Sequence, residues 1–233
     1  MPMMSTSIIH TTIMLESAAL LSLLRLVSPA LPVGAYSYSQ GFESAVEQGW
    51  VHDEESAHDW FLGVMQHGLV YLEVPLLREL YQALRKQDWQ ALAHWNEQSH
   101  AFRESYELGL EEQQMGKALW RLLSDLDIPL PELKEPAWIS AYCIAAHQWN
   151  IGLTPAAQGF IWSWLENQLA AASKIIPLGQ TQVQRLTTRL LPSIEQAVEQ
   201  GLAVDITEMG MGLPGLVLGS MLHETQYSRL FRS

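Results

Sequence analysis

Apolar side chains recur along most of this chain at the three- and four-residue spacing that places them on one face of an α-helix. Separate stripes of this kind begin at Leu20, Phe61, Met115, Ile161 and Val183. No segment shows sustained alternation of apolar and polar residues, so the pattern predicts no strand. Because helices average about 11–12 residues, the chain is expected to form an all-α fold of about eight to ten helices.

Capping residues and helix breakers mark the expected helix boundaries. Asp53 and Asp88 each precede a helical stripe, where an aspartate can accept a hydrogen bond from a main-chain N–H of the first turn. Thr154 stands directly before a proline and is predicted to be a third N-cap. Pro75 is expected to end or kink the helix before it. Gly201 is expected to follow the last turn of a later helix.

The chain shows no low-complexity linker and no convincing repeat, so residues 1–233 are predicted to form one compact domain. A chain of this length buries roughly 70–75% of its unfolded surface, which is ample for an apolar core. The end of the chain is the expected exception, because residues 209–215 contain three glycines, which have large conformational freedom to lose. Residues 209–233 are therefore predicted to be a flexible tail, mobile or loosely docked in the free protein, that captures a partner and becomes ordered on binding.

Composition and charge argue against several classes of protein. The formal net charge of −12 disfavours sequence-independent nucleic-acid binding, which depends on clustered Lys and Arg. The longest span without a charged residue, 136–165, contains Gln148 and Asn150, which favours a buried segment over a membrane span. The single cysteine, Cys143, leaves no intrachain disulfide. Residues 1–24 lack the basic start of an export signal, so a soluble cytoplasmic protein is expected.

One acidic cluster could carry metal chemistry. Glu107 and Glu111 are four residues apart and Glu112 follows, so one helix could present several carboxylates. The Glu-x-x-His motif that accompanies such sites in helical bundles does not appear. A solvent-exposed acidic helix face is the favoured interpretation. A helical metal-dependent enzyme that uses these carboxylates is kept as the alternative function.

Three segments have residues suited to contacts with other molecules. Residues 223–233 read His-Glu-Thr-Gln-Tyr-Ser-Arg-Leu-Phe-Arg-Ser and combine apolar contact residues with two arginines. Residues 31–43, the N-terminal block, read Leu-Pro-Val-Gly-Ala-Tyr-Ser-Tyr-Ser-Gln-Gly-Phe-Glu and are rich in the uncharged polar side chains of contact surfaces. Residues 174–180 read Lys-Ile-Ile-Pro-Leu-Gly-Gln. Together, and in this order, the three blocks resemble the signature segments of the urease accessory protein UreF family.

The resemblance implies an all-α homodimer that acts as a chaperone-like adaptor and not as an enzyme. Proteins of this family help to insert nickel into the active site of the urease apoprotein. They join UreD, called UreH in some systems, and recruit the GTPase UreG. The resemblance therefore implies that the complex handles nickel, that the partner GTPase binds GTP, and that this chain binds no cofactor tightly.

The resemblance also assigns residues to two partner sides, with no catalytic or metal-binding residue among them. On the GTPase side it implies Lys174, Pro177, Gly179, Gln180, Tyr36, Ser37, Tyr38, Gln40, Gly41 and Glu43. On the UreD side it implies His223, Glu224, Tyr227, Arg229, Leu230, Phe231 and Arg232. Arg229 is expected to hold residues 36–40 in a shape that a partner can bind.

Overall fold

The computed structural model describes residues 17–233 and confirms the predicted all-α fold, with no strand in this part of the chain. Short 3-10 turns at Ala35–Ser37 and Ile206–Glu208 and a π-helical turn at Met65–Leu69 connect the helices. None of the described helices is both long enough and apolar enough to cross a membrane. The helices are α1 (residues 17–26), α2 (Phe42–Glu47), α3 (Glu54–Val64), α4 (Glu73–Lys86), α5 (Trp89–Ala101), α6 (Tyr106–Asp125), α7 (Trp138–Gln148), α8 (Leu153–Ile175), α9 (Gln180–Ala203) and α10 (Pro214–His223).

Helix α7 forms the centre of the domain and packs against α4, α6 and α8. Most of its residues are apolar, as expected for a helix with neighbours on all sides. Ile139 and Tyr142 are fully buried, and the Tyr142 hydroxyl donates to the Ala156 carbonyl of α8 at 2.9 Å. The apolar surface that closes around α7 is the main contribution of this core to stability.

Two glycines allow helices to approach closely. A Cβ at Gly116 of α6 would lie 2.1 Å from the carbonyl oxygen of Pro136, just before α7. A Cβ at Gly201 would lie 2.6 Å from the Cβ of Val74 in α4. The prediction that Gly201 follows a helix is wrong, because this glycine lies inside α9 and permits tight packing there.

Two of the predicted helix starts are confirmed. The Asp53 carboxylate accepts a hydrogen bond from the Ser56 N–H at 2.9 Å, at the start of α3. The Asp88 carboxylate accepts one from the Ala91 N–H at 3.0 Å, at the start of α5. Both caps depend on neighbours within three residues, so the local sequence is sufficient to predict them.

The predictions for Thr154 and Pro75 are wrong. Helix α8 begins at Leu153, with Gly152 as its N-cap, so Thr154 already lies in the first turn. The chain leaves the preceding helical run at residues 70–72, and Pro75 lies in the first turn of α4. A proline is tolerated there because the first-turn N–H groups of a helix have no partner within it.

Residues 209–233 are docked against the rest of the domain in this structure, and their mobility in the free protein stays a prediction. The Gly210 N–H donates to the Tyr71 carbonyl at 2.9 Å. A Cβ at Gly210 would lie 2.4 Å from the ring of Phe102, and one at Gly212 would lie 2.7 Å from a carboxylate oxygen of Glu104. Two of the three glycines that suggested flexibility, Gly210 and Gly212, therefore serve close packing of this segment.

Gly116→Ala is expected to destabilise the protein, because the added methyl group would have to displace main-chain atoms. Overpacking of this kind typically costs about 1–3 kcal/mol, which urea unfolding followed by circular dichroism would measure. Gly63→Ala is the matched control, since no atom lies within 4 Å of a Cβ at that position. Alanine favours a helix over glycine by roughly 0.5–1 kcal/mol, so this variant should be as stable as the parent or more so. Equal unfolding midpoints for the two variants would contradict the packing described for Gly116.

Candidate partner-binding site

The N-terminal block turns sharply before α2. Gln40 and Gly41 both have positive φ angles, of 54° and 77°, and Phe42 then begins the helix. Helix α10 lies directly on this turn, because a Cβ at Gly41 would be 2.6 Å from the main-chain nitrogen of Ser220. Position 41 therefore favours glycine for two reasons, the backbone angle and the contact with α10.

Glu43, in the first turn of α2, binds the C-terminal segment, which we define as residues 224–233. The residue is only 6% exposed. Its carboxylate accepts hydrogen bonds from the main-chain N–H groups of Leu230 at 2.8 Å and Phe231 at 3.0 Å. One of its oxygens also lies 3.1 Å from Nε2 of His223. Three groups near the end of the chain thus compensate one buried carboxylate.

The C-terminal segment also pairs with the N-terminal block through the main chain. The Arg232 N–H donates to the Ser37 carbonyl at 2.7 Å, and the Ser39 N–H donates to the main-chain oxygen of Ser233 at 2.6 Å. The main chain of the segment therefore holds the block, and the expected role of Arg229 needs correction. Its guanidinium does not bond to the block and donates instead to Glu107 of α6 at 2.9 Å.

His223, the last residue of α10, is fully buried between two carboxylates. Its Nδ1 lies 2.8 Å from Glu107 of α6, and its Nε2 lies 3.1 Å from Glu43 of α2. The exposed Glu224 accepts a hydrogen bond from the Tyr106 N–H at 3.1 Å, at the start of α6. A negative charge is favourable at that end of a helix. Together these contacts attach the end of α10 to two other helices.

Tyr38 and Gln40 of the N-terminal block point inward and hold the block in place. The buried Tyr38 hydroxyl donates to the Gln114 side chain of α6 at 2.7 Å. The Gln40 amide donates to Glu111 of α6 at 2.8 Å and accepts from the indole N–H of Trp164 in α8 at 2.8 Å. These two residues are therefore supports of the site and not parts of its outer surface.

Glu111 connects α6 to both ends of the site. It accepts hydrogen bonds from the Gln40 amide at 2.8 Å and from the Ser233 hydroxyl at 3.2 Å. Burial raises the pKa of this carboxyl to about 7, although the hydrogen bond from Gln40 acts in the opposite direction. Glu111 therefore changes its charge near neutral pH inside the contact between the two segments.

The row of carboxylates on α6 is buried, so the predicted solvent-exposed acidic face is wrong. Glu107, Glu111 and Glu112 are between 4% and 8% exposed. Glu112 pairs with Arg103 at 2.9 Å, and Arg103 also pairs with Glu73 of α4 at 2.8 Å. A spacing of four residues places carboxylates on one helix face whether that face is buried or not, so the spacing alone could not distinguish the two cases.

The alternative of a metal-dependent enzyme finds no support among residues 17–233. The α6 carboxylates are bonded to different groups of the protein and do not converge as a set of ligands. Among the described residues, the side chains with metal-like spacing are Glu55, His58 and Asp59, in or near the exposed surface of α3. Glu55 is already paired with Arg189 of α9 at 2.8 Å, and exposed acidic groups of this kind are common without an ion.

Lys174 lies in the last turn of α8 and contacts the C-terminal segment. Its ammonium is 5.4 Å from the centre of the buried Phe231 ring, a distance typical of a cation–π interaction. Pro177, Gly179 and Gln180 are exposed in the turn that follows α8 and at the start of α9. Residues from both predicted partner sides therefore meet at Phe231.

Several large apolar side chains are exposed on the N-terminal block, the C-terminal segment and α10. Tyr36 is 66% exposed, Leu230 is 71% exposed and Tyr227 is fully exposed. Leu218 and Met221 of α10 are exposed as well. Sequence reasoning missed these last two, although the uncharged, apolar sequence of α10 was a signal that one face would remain uncovered. Exposed apolar patches of this kind mark protein interaction sites.

The fold and the site together define a class of protein: an all-α domain whose anchored C-terminal segment leaves large apolar side chains exposed. The UreF family model matches residues 51–191. A relative from Chromohalobacter salexigens, named urease accessory protein UreF, is 50% identical over 221 residues, which cover 94% of this chain and 96% of that protein. Relatives of the same name from Marinobacter nauticus and Alkalilimnicola ehrlichii are 48% and 46% identical, over 92% and 90% of this chain and 94% and 93% of theirs. The chain belongs to the UreF family of urease accessory proteins.

Glu111→Gln should remove a pH-dependent loss of stability. The carboxyl has a pKa of about 7 in the folded protein against an ordinary value of 4.5, so folding takes up protons between these values. Stability should therefore fall as pH rises from 4.5 to 7, and glutamine, which resembles the protonated acid, should abolish this contribution. The difference in free energy of unfolding between variant and parent should therefore shift in favour of the variant by on the order of 2–3 kcal/mol from pH 5 to pH 8. Urea unfolding at both pH values would measure it.

The matched control is Glu199→Gln, an exposed position on α9, which should leave the pH dependence of stability parallel to that of the parent. A Glu111→Gln variant whose stability also runs parallel to the parent would show that Glu111 is not neutralised on folding.

Proposed function

We propose that this protein is a chaperone-like adaptor, without catalytic activity of its own, that supports nickel insertion into the urease active site. In this proposal it binds UreD, also called UreH, and recruits the GTPase UreG to the urease apoprotein. Membership of the UreF family supports a role in urease assembly. The observation that carries the proposal is the contact between Lys174 and Phe231, where the candidate surfaces for the two partners join.

The proposed UreD surface is formed by the outer side of the C-terminal segment and α10. Tyr227 and Leu230 project from a main chain that Glu43 and the N-terminal block hold in place. A preformed surface loses little conformational entropy on binding, so such exposed anchors can contribute most of their apolar area to affinity. This argues for UreD contacts at these side chains, with the buried His223 and Phe231 acting as supports.

The proposed UreG surface comprises Lys174, the exposed turn over residues 177–180 and Tyr36 of the N-terminal block. Lys174 and Tyr36 are far apart in the chain, yet both lie at the docked segment: Lys174 contacts Phe231, and Ser37, next to Tyr36, pairs with Arg232. Binding of UreD to the segment would therefore stabilise the positions of residues that face UreG. By linkage, UreG binding would in turn strengthen binding of UreD.

The proposal includes a homodimer that works in the cytoplasm. Nickel is cargo of the whole complex, GTP is held by UreG, and this chain binds no cofactor tightly. The dimer is supported by the composition, with 48% hydrophobic and 16% charged residues. Leu20, Leu21 and Leu24 of α1 are exposed and add apolar surface that a second subunit could cover.

Leu230→Ser should weaken the complex with UreD and UreG without unfolding the protein. The side chain is 71% exposed, and the main-chain N–H that binds Glu43 is retained. Loss of an anchor at the centre of an interface should lower affinity by roughly tenfold or more. Co-expression with tagged UreD and UreG, affinity purification and light scattering would measure assembly and the presence of a dimer.

The control for this experiment is Leu191→Ser, an exposed leucine on α9, which should assemble normally. If Leu230→Ser assembles like the parent, the adaptor function stands and the proposed surface is wrong. If the parent itself forms no complex with UreD or UreG, the adaptor function is wrong.

Lys174→Ala should reduce UreG recruitment and urease activation while leaving UreD binding intact. The helix-end and cation–π contributions of this lysine to stability are at most about 1 kcal/mol each, so thermal unfolding should shift little. Lys86→Ala is the matched control. Lys86 is exposed in the last turn of α4, and Glu73 lies at the other end of that helix. Urease activity in co-expressing cells is the measurement. Normal activation by Lys174→Ala would show that Lys174 has no role in UreG recruitment.

A further inference from the structure

Glu166 of α8 is a partly buried carboxylate without a compensating group in the described part of the chain. Burial raises the pKa of this carboxyl, and neither a hydrogen bond nor a cation among residues 17–233 acts in the opposite direction. The buried Glu111 differs, because Gln40 donates to it and Arg103 lies near. Desolvation without compensation lowers the stability of a protein, so the fold alone gives no reason for a carboxylate at position 166.

Glu166 lines a small open notch between the end of α1, the N-terminal block and α8. The notch has a volume of about 30 Å³. Ser163, Glu166 and Asn167 of α8 form its polar wall, and the rings of Tyr36 and Trp138 line it as well. One water-sized group needs about 10–15 Å³ of such volume, whereas pockets for small molecules are on the order of 300 Å³ or more. The notch can therefore take the head of one side chain and is too small for a metabolite.

The notch is continuous with the surface proposed for UreG. Tyr36, which is 66% exposed, belongs to both. Asn167 lies two helical turns before Lys174 on α8, so the two residues share a helix face about 10 Å apart. A protein that contacts both Tyr36 and Lys174 would therefore cover the notch and the Glu166 carboxylate.

We propose that the notch receives one basic side chain of UreG and that Glu166 is the residue that recognises it. This inference rests on the proposed function, which assigns UreG to this surface. A cation supplies the charge that Glu166 lacks, and the rings of Tyr36 and Trp138 can stack on a guanidinium, which favours arginine over lysine. The net charge of −12 attracts a basic surface over a longer range, whereas the pair at Glu166 fixes the register of the two proteins.

Glu166→Gln is the test, because it removes the charge and keeps the shape of the side chain. The free variant should be at least as stable as the parent in urea unfolding, since a desolvated charge is lost. UreG, titrated onto the purified complex of this protein with UreD, should bind roughly tenfold or more weakly, as expected when a charge-assisted hydrogen bond is lost. A residue with only a structural role would lower stability and binding together.

Glu199→Gln is the matched control, because it changes the net charge by the same amount at an exposed position of α9. It should bind UreG like the parent. Reversal of the charge gives a second pair of variants. Glu166→Lys should lower UreG affinity by roughly a hundredfold or more, because two like charges would meet in the notch, whereas Glu199→Lys should change it little.

Three results would overturn the assignment of the notch. One is UreG binding by Glu166→Gln within about twofold of the parent. Another is a lower unfolding midpoint of this variant, which would show that the carboxylate is compensated inside the fold. The third is a monomeric mass of free Glu166→Gln beside a dimeric parent in light scattering, which would assign the notch to a second copy of the chain. Each of these leaves the adaptor function standing, whereas a parent complex that binds no UreG would overturn both.

Discussion

The site depends on one constraint, the burial of four carboxylates close to the end of the chain. They belong to Glu43, Glu107, Glu111 and Glu112. A buried charge that loses its partner costs about 3–5 kcal/mol, so each carboxylate needs compensating groups. Arg103 supplies a positive charge to Glu112 inside the domain. For the others, much of the compensation comes from residues near the end of the chain, namely the main-chain N–H groups of Leu230 and Phe231, the ring of His223, the guanidinium of Arg229 and the hydroxyl of Ser233.

This dependence makes the C-terminal segment part of the folded domain. Without it, Glu43 would lose the Leu230 and Phe231 N–H groups and Glu107 would lose the Arg229 guanidinium. The glycines complete the arrangement: Gly41 lets α10 lie on the N-terminal block, and Gly210 lets the chain pass beneath the Phe102 ring. In this structure the docked segment therefore completes the compensation of the buried carboxylates and leaves Tyr227 and Leu230 exposed.

The same arrangement separates supporting residues from contact residues. Glu43, Tyr38, Gln40, Gly41 and His223 lie in the blocks that resemble family signature segments, yet their side chains or turns serve internal contacts. Tyr36, Tyr227 and Leu230 are the residues that these supports present to solvent. A buried residue of these blocks can therefore act through the shape of a neighbouring surface, as Glu43 does for Leu230. This division explains how a surface with few charges can still depend on a strongly charged interior.

The sequence alone determined the helical class, the Asp53 and Asp88 caps, and, through its three blocks, the family. These features depend on helical periodicity, on neighbours within one turn, and on residue identity in short segments. The burial of Glu107 and Glu111 could not be predicted from the sequence, because their spacing is the same on a solvent-exposed helix face and on a buried one. The docking of the last residues was not accessible either, because a glycine-rich stretch is compatible with flexibility and with close packing alike. Only the tertiary structure decided both, since Glu43 and Phe231 are 188 residues apart in the chain and their hydrogen bond exists only where the fold brings α2 to the C-terminal segment.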